Sequence, residues 1–327
     1  MRVSIAMAVY NGELFLHEQL ESFLRQTRLP DELVVSDDAS TDLSVKIVRG
    51  FAKRAPFPVR LLLNDENLGC TKNFERAIRA CQGESIYLSD CDDVWYPNKI
   101  CATELAFSHW PMAGAVISDA DLVDENLVPI GGRLWAGRGF RLRPSVQKKM
   151  AEGKTFKRAT PAWGPCIAFR AKLKPVILPL PNAAMFRRAG QDQFIVWTIA
   201  YSGSGGVALI PEALLAYRQH GSQMVGASSR NMMGALIERA NGRKFRAPGP
   251  AADAVRARLE AVVEPPETAL VNPTIRAALL RHWAARSDLP NSKLARIPVV
   301  IEELMTLRYH RFSNGFRTAA KDLLFVS

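Results

Sequence analysis

Two acidic stretches carry the residue types that could do chemistry: Asp37-Asp38-Ala39-Ser40-Thr41-Asp42 and Ser89-Asp90-Cys91-Asp92-Asp93-Val94-Trp95. Each follows an apolar run that reads as a short strand, residues 32–36 and 85–89. Ligands of open parallel sheets sit beyond the carboxyl ends of the strands. Asp37, Asp38, Asp90, Asp92 and Asp93 would then gather at neighbouring strand ends, an arrangement that is costly unless a cation compensates it. Hard carboxylate oxygens suit Mg²⁺ or Mn²⁺, and such ions bind together with substrate phosphates. The pattern predicts a site for a divalent ion and a diphosphate. Taken singly, the first stretch also suits a turn and helix cap, and the second a solvated loop. Their joint occurrence after two strands of one sheet favours the site.

The elements that must hold these residues alternate through the first third of the chain. Residues 2–9 form an apolar, β-branched run broken by Asn11-Gly12. Leu14, Leu16, Leu20, Phe23 and Leu24 then recur at near-helical spacing. Strands are expected over 32–36, 59–63 and 85–89, and helices over 41–55 and 70–81. A further helix follows Pro97, a residue suited to a first turn. This order predicts a mainly parallel sheet covered by helices on both faces. Beyond Ala113, residues 113–124 read as one more strand and 131–143, rich in Gly and Arg, as a mobile loop. Residues 169–181 and 208–217 hold strand-like runs, and 192–201 reads as an amphipathic helix. Helices joined by Pro-rich breaks are expected over 235–244, 251–262, 273–286 and 298–307. The expected division is an α/β catalytic domain over 1–225 and a helical region over 226–327.

Composition bounds the rest. The chain has 327 residues, with 43 Lys+Arg against 32 Asp+Glu, a net charge of +11. At 48% hydrophobic it holds enough apolar side chain for a core and too much for a disordered chain. No apolar run reaches the ~18–20 residues of a membrane-spanning helix, and the N-terminus is too soon polar for a secretory signal. A cytoplasmic protein is expected, soluble or peripheral. Five cysteines, never closer than ten positions apart, fit reduced thiols better than a disulfide framework or a zinc site. The positive balance suits a nucleic acid, an anionic membrane or an acidic small ligand. For nucleic acid only charge speaks, because no aromatic-interleaved motif accompanies it. Gly153-Lys154-Thr155 imitates the end of a P-loop, but Lys148 stands where the opening glycine belongs.

VSIAMAVYNG, VSDDASTD, NLGCTKNFERAI and YLSDCDDVWYPNKI resemble the four successive signatures of glycosyltransferase family 2. GQDQFIVWTIAYSG, followed by LIPEALLAYRQHGSQMVGA, resembles the acceptor half of its rhamnosyltransferase-like bacterial branch. The resemblance covers residues 2–227, and more loosely the closing RYHRFSNGFRTAAKDLL. It implies a glycosyltransferase-A-type α/β fold with a C-terminal helical extension, its nucleotide-sugar half over 1–112 and its acceptor half over 113–225. It also implies inverting transfer of a hexose, such as rhamnose, from a nucleotide-diphosphate sugar to a cell-envelope glycan or lipid-linked saccharide. The roles implied are these: Ala8 and Tyr10 line a base pocket, and Asp38 pairs with the base with Asp37 beside it. Asp90, Asp92 and Asp93 form the DxD-type motif for ribose and metal, the ion (Mg²⁺ or Mn²⁺) falling to Asp92 and Asp93. Asp192 is the general base and His220 lies near the diphosphate.

Ala39, in place of a more usual glycine, and Gln191 and Gln193 around Asp192 depart from the family pattern. The chemistry is consistent with these roles. A held metal neutralises the leaving diphosphate, and a positioned carboxylate deprotonates the attacking hydroxyl. A single base without a nucleophilic carboxylate implies inversion. The plainer alternatives are a first-turn helix Asp for Asp192 and a turn His for His220. A nucleotidyltransferase could share the sheet and metal carboxylates, and a basic nucleic-acid-binding or scaffold protein could retain an inactive domain. In residues 298–327, basic side chains beside Leu304, Leu307, Phe312, Phe316, Leu323, Leu324 and Phe325 suit either docking on the anionic inner face of a membrane or packing on the domain.

Overall fold

The continuous apolar run of β1 (Val3–Val9) is buried along its whole length, as parallel strands covered on both faces are. The computed structural model describes residues 1–137, 139–154, 160, 162–181, 190–202, 205–221, 277–278, 281–282, 284–286, 289–290, 292–312 and 316–324. Helix α1 (Leu16–Leu24) leads to β2 (Glu32–Asp37), α2 (Ser44–Ala52) to β3 (Val59–Leu63), and α3 (Cys70–Ala80) to β4 (Ser85–Ser89). These four strands pair in parallel, with β1 between β2 and β4. Strand order runs one way from β1 to β3 and reverses for β4. Right-handed crossovers therefore put α3 on the face opposite α1 and α2. The reversal also opens a crevice at the carboxyl ends of β1, β2 and β4, where both acidic stretches lie.

The second half extends the sheet. Strand β5 (Val94–Trp95), α4 (Lys99–His109), β6 (Ala113–Val123), β7 (Pro129–Arg133), α5 (Leu134–Gly137) and α6 (Pro144–Ala151) precede β8 (Ile167–Arg170). Helices α7 (Lys174–Ile177) and α8 (Gln191–Ser202) and strand β9 (Gly206–Arg218) follow. The order is β3-β2-β1-β4-β8-β6-β9-β5, with β7 also on β6. Strand β8 is antiparallel to both its neighbours, while the long β6–β9 pair is parallel. Parallel pairing thus accounts for most of the ladder, with helices covering the sheet. Toward the C-terminus come α9 (Lys293–Met305), α10 (Arg308–Phe312) and α11 (Phe316–Leu324), around a small cluster of Val300, Tyr309 and Ala319.

Several local expectations are corrected. The helix expected over 41–55 begins at Ser44. The amides of Thr41 and Leu43 are taken by Asn11 Oδ1 and Glu13 Oε2 (both 2.9 Å), which holds this segment as a loop. Pro97 precedes α4 by two residues instead of entering its first turn. The first half of the loop expected over 131–143 is instead the end of β7 and all of α5, with α6 starting just beyond it at Pro144. Asp124 Oδ1 accepts the amides of Asn126 and Val128 (2.9 and 2.8 Å), turning the chain so that β7 returns along β6. Of residues 169–181 only the start is strand, and a 3₁₀ turn and α7 follow. Helix α8 exists, but it is not amphipathic: every residue from Phe194 to Ser202 is buried, because β6, β9 and α7 surround it. The helices expected over 235–244 and 251–262 lie outside the described residues. No described helix is long and apolar enough to cross a membrane.

Candidate functional site

Register places Val9 of β1 beside Asp37 of β2, and Met7 beside Ser89 of β4. The loops leaving these strands therefore meet. Asp38 is buried, and its amide donates to the Val9 carbonyl (2.9 Å). Its Oδ1 accepts from the Leu68 amide (2.8 Å) and Asn64 Nδ2 (2.7 Å), and its Oδ2 from the Gly69 amide (2.9 Å). Asp37 Oδ2 accepts the Ser40 amide (2.9 Å), while its Oδ1 is buried without a partner. Ala8 is buried at the end of β1, and Tyr10 beyond it is half exposed. Ala39 takes φ +59°, the left-handed region. This gives the departure from glycine a physical cost of about 1–2 kcal/mol for a side chain with Cβ. Ala39→Gly is expected to raise stability by roughly 0.5–1 kcal/mol after glycine's extra unfolded-state entropy is subtracted, seen as a higher denaturation midpoint in urea.

At the end of β4, Asp90, Asp92 and Asp93 each offer a carboxylate oxygen within 4.8 Å of the others. Asp93 is fully buried; its Oδ1 accepts the Arg218 amide (3.1 Å) and its Oδ2 has no partner. Burial, and then the neighbouring carboxylates, push the Asp90 and Asp93 carboxyls well above the usual range. Three crowded carboxylates with one orphaned buried oxygen fit a divalent hard cation, whose charge would reverse both penalties. His220 Nε2 lies 2.9 Å from Asp92 Oδ2, and its ring lies against Phe15 at 4.7 Å between centroids.

Asp192 enters from the other half, in the first turn of α8. Burial pushes its carboxyl up to about 6, against the pull of the Gly164 amide and its own. Its neighbour Gln191 is bonded to Cys70 and Thr71 at the start of α3, which sets Asp192 near Asp90, and its charge helps raise the Asp90 carboxyl and the Cys70 thiol. A Cβ on Gly164 would stand 3.1 Å from Asp192 Oδ1, so only glycine leaves the carboxylate its present room. Gln191 ties the start of α8 to the start of α3: its Nε2 donates to Cys70 Sγ (3.5 Å), and Thr71 Oγ1 donates to its Oε1 (3.4 Å). The structure thus brings Asp90, Asp92, Asp93, Asp192 and His220 together, with Asp37, Asp38, Ala8 and Tyr10 at the adjoining strand ends.

Two residues here escaped the sequence. Arg218 is 1% exposed, and its Nε donates to the Asp92 carbonyl (2.7 Å). Lys99 is 2% exposed, its ammonium 4.9 Å from the centre of the Trp95 ring. Burial brings Lys99 down to about 8, while Cys166 and Asp93 hold it up. Both lie inside quoted motifs, but only long-range pairing shows what they touch.

Residues 4–173 match the family described as Glycosyl transferase family 2. A dTDP-rhamnosyl transferase, RfbG, of Shigella flexneri is 38% identical over 98 residues, 29% of this chain and 34% of that protein. The chain spans 27% of the length of the uncharacterized mycobacterial proteins it matches. Among solved structures, S. aureus TarS 1-349 in complex with UDP-GlcNAc is similar with TM-score 0.54 and 16% identity, over 99% of this chain and 88% of that one. The mannosyltransferase PcManGT of Pyrobaculum calidifontis, in complex with GDP-Man and Mn²⁺, is similar with TM-score 0.50 and 20% identity, over 93% and 87%. At such identities the structural likeness carries the fold, of glycosyltransferase-A type. The sequence match extends over more than half of the residues, and the chain belongs to glycosyl transferase family 2.

Proposed function

We propose that the protein is an inverting glycosyltransferase that moves a hexose, such as rhamnose, from a nucleotide-diphosphate sugar to a cell-envelope glycan or lipid-linked saccharide at the cytoplasmic face of the membrane. The observation that carries this is the convergence of the Asp90–Asp92–Asp93 cluster and Asp192 on one crevice from two separate parts of the fold. Residues 1–112 would bind the donor and 113–225 the acceptor. Ala8, Tyr10, Asp37 and Asp38 would line the base pocket, and Asp90 would take the ribose. Asp92 and Asp93 would hold Mg²⁺ or Mn²⁺, and His220 would steady Asp92 beside the diphosphate. A bound ion would neutralise charge on the leaving diphosphate. Asp192, at about 6, is largely ionised at neutral pH yet basic enough to take the acceptor hydroxyl proton as that oxygen attacks. Direct displacement by that oxygen inverts the sugar carbon. Nucleotidyl transfer would leave Asp192 without a task, and a scaffold would need none of these carboxylates.

The decisive experiment is a melting screen of nucleotide sugars with Mn²⁺ and with chelator. A ligand that binds only the native state raises Tm by mass action. The Asp90 and Asp93 carboxyls are raised on folding, so their contribution to stability is present at acid pH and lost as pH rises through the raised values. Mn²⁺ alone should therefore raise Tm more at pH 7.5 than at pH 5.5. A diphosphate sugar should add a further rise that chelator removes. No shift with any nucleotide sugar would sink the proposal.

Membrane contact rests on the tail. Leu304 and Leu323 pack on the cluster around Val300, Tyr309 and Ala319, and Arg308 is buried against Glu302 and Glu303. Those parts are core. Leu294, Ile297, Ile301 and Met305 are exposed, at spacings that put them on one face of α9. The full chain should sediment with anionic vesicles at low salt and be released at high salt. Ile301→Asp with Met305→Asp should stay in the supernatant at unchanged Tm. Equal sedimentation of the double variant would remove α9 from the contact.

A further inference from the structure

We infer that Arg218 is a positioning residue that fixes Asp92, Asp93 and His220 in one arrangement for the metal. The inference rests on the reading of Asp92 and Asp93 as metal ligands. Arg218 ends β9, and its own amide donates to Asp93 Oδ1 (3.1 Å). Its guanidinium then reaches three other segments of chain. Nε donates to the Asp92 carbonyl (2.7 Å), one terminal nitrogen to the Glu125 carbonyl, and the other to the Glu18 carboxylate at the start of α1. The guanidinium also lies over the Phe15 ring, 4.5 Å from its centre. Phe15 contacts His220, and His220 reaches the Asp92 carboxylate. The contacts close a circuit: Arg218 to the Asp92 backbone, Asp92 carboxylate to His220, His220 to Phe15, and Phe15 back to Arg218.

The geometry separates two tasks. The guanidinium grips the Asp92 carbonyl and takes its ionic partner from Glu18, whose side chain is half exposed and outside the acidic cluster. It therefore secures the loop without occupying the Asp92 carboxylate oxygens that a cation would use. Only a planar fork with five donors serves three acceptors and a ring face at once; a lysine ammonium is a compact point charge with three donors and no such face.

The test is Mn²⁺ alone, titrated into the full chain and followed by calorimetry and by the electron-paramagnetic-resonance signal of free Mn²⁺. Residues that orient metal ligands alter affinity by about 10- to 100-fold when replaced. Arg218→Met is expected to fall in that range, Arg218→Lys between it and wild type, and Glu18→Gln to weaken Mn²⁺ several-fold at unchanged Tm. Combining Glu18→Gln with Arg218→Met should add nothing further, because both act through one side chain. If Arg218→Met does not fold, Arg218→Lys and Glu18→Gln decide. Wild-type Mn²⁺ affinity in both overturns the inference. A wild-type chain that binds no Mn²⁺ overturns instead the metal reading itself, and this assignment with it.

Discussion

Asp93→Asn is expected to lower sugar transfer by about 10²–10³-fold or more, the range seen when one electrostatic stabiliser of a transition state is removed. The substitution keeps the shape, and its amide oxygen can still accept the Arg218 amide that Asp93 Oδ1 accepts now. The protein should fold as before. Asp93 is fully buried and its carboxyl is driven well above the usual range by burial and then by Asp92 and Asp90. Removing its charge relieves repulsion, so without metal the Tm should hold or rise slightly, while the Mn²⁺-dependent rise should disappear. Asp92→Asn should lose activity similarly, with its contact to His220 also weakened. Full activity in either variant, or of the wild type in excess chelator, would exclude the metal-assisted mechanism.

The second large effect belongs to Asp192. Its replacement by Asn should cost about 10²–10⁴-fold in kcat, the contribution of a positioned general base, with nucleotide affinity near wild type. The pH profile carries the sharper signature. With the Asp192 carboxyl of the free protein near 6, wild-type kcat/KM should fall as pH drops through that value, because the protonated form cannot accept the acceptor's proton. The residual activity of Asp192→Asn should lack that limb. The variant should be no less stable at neutral pH, since a carboxyl raised on folding contributes stability only when protonated. An equal loss of donor affinity would move Asp192 into the donor pocket and overturn its assignment.

What could be known from the sequence divides along a physical line. Strands β1, β2 and β4 were legible because parallel strands covered on both faces are continuous apolar runs. Strands β5 and β7 were not. One is two residues long and the other is exposed throughout, and each exists only through its pairing with β9 or β6. Helix α8 was legible as a helix, but not as an amphipathic one: β6, β9 and α7 leave residues 194–202 no solvent face. At the site, Asp90, Asp92 and Asp93 announced themselves because three acids stand within four positions. Arg218 did not, since its partners Glu18 and Asp92 lie 200 and 126 residues away. Ala39 was noticed as a departure, and only its φ of +59° explains why glycine is the easier residue there.

The burial of α8 on every side has an engineering consequence. If Asp192 is the proposed base, it sits at the tip of an encased strut and cannot be re-aimed by shifting that strut, because every residue from Phe194 to Ser202 would have to repack together. New acceptors would have to be accommodated by recutting the wall around Asp192 while its own coordinates stay where they are. In a library built for altered acceptor choice, diversity belongs in the surfaces that face the carboxylate. Phe194 to Ser202 should be left as they are, and Gly164 should stay glycine.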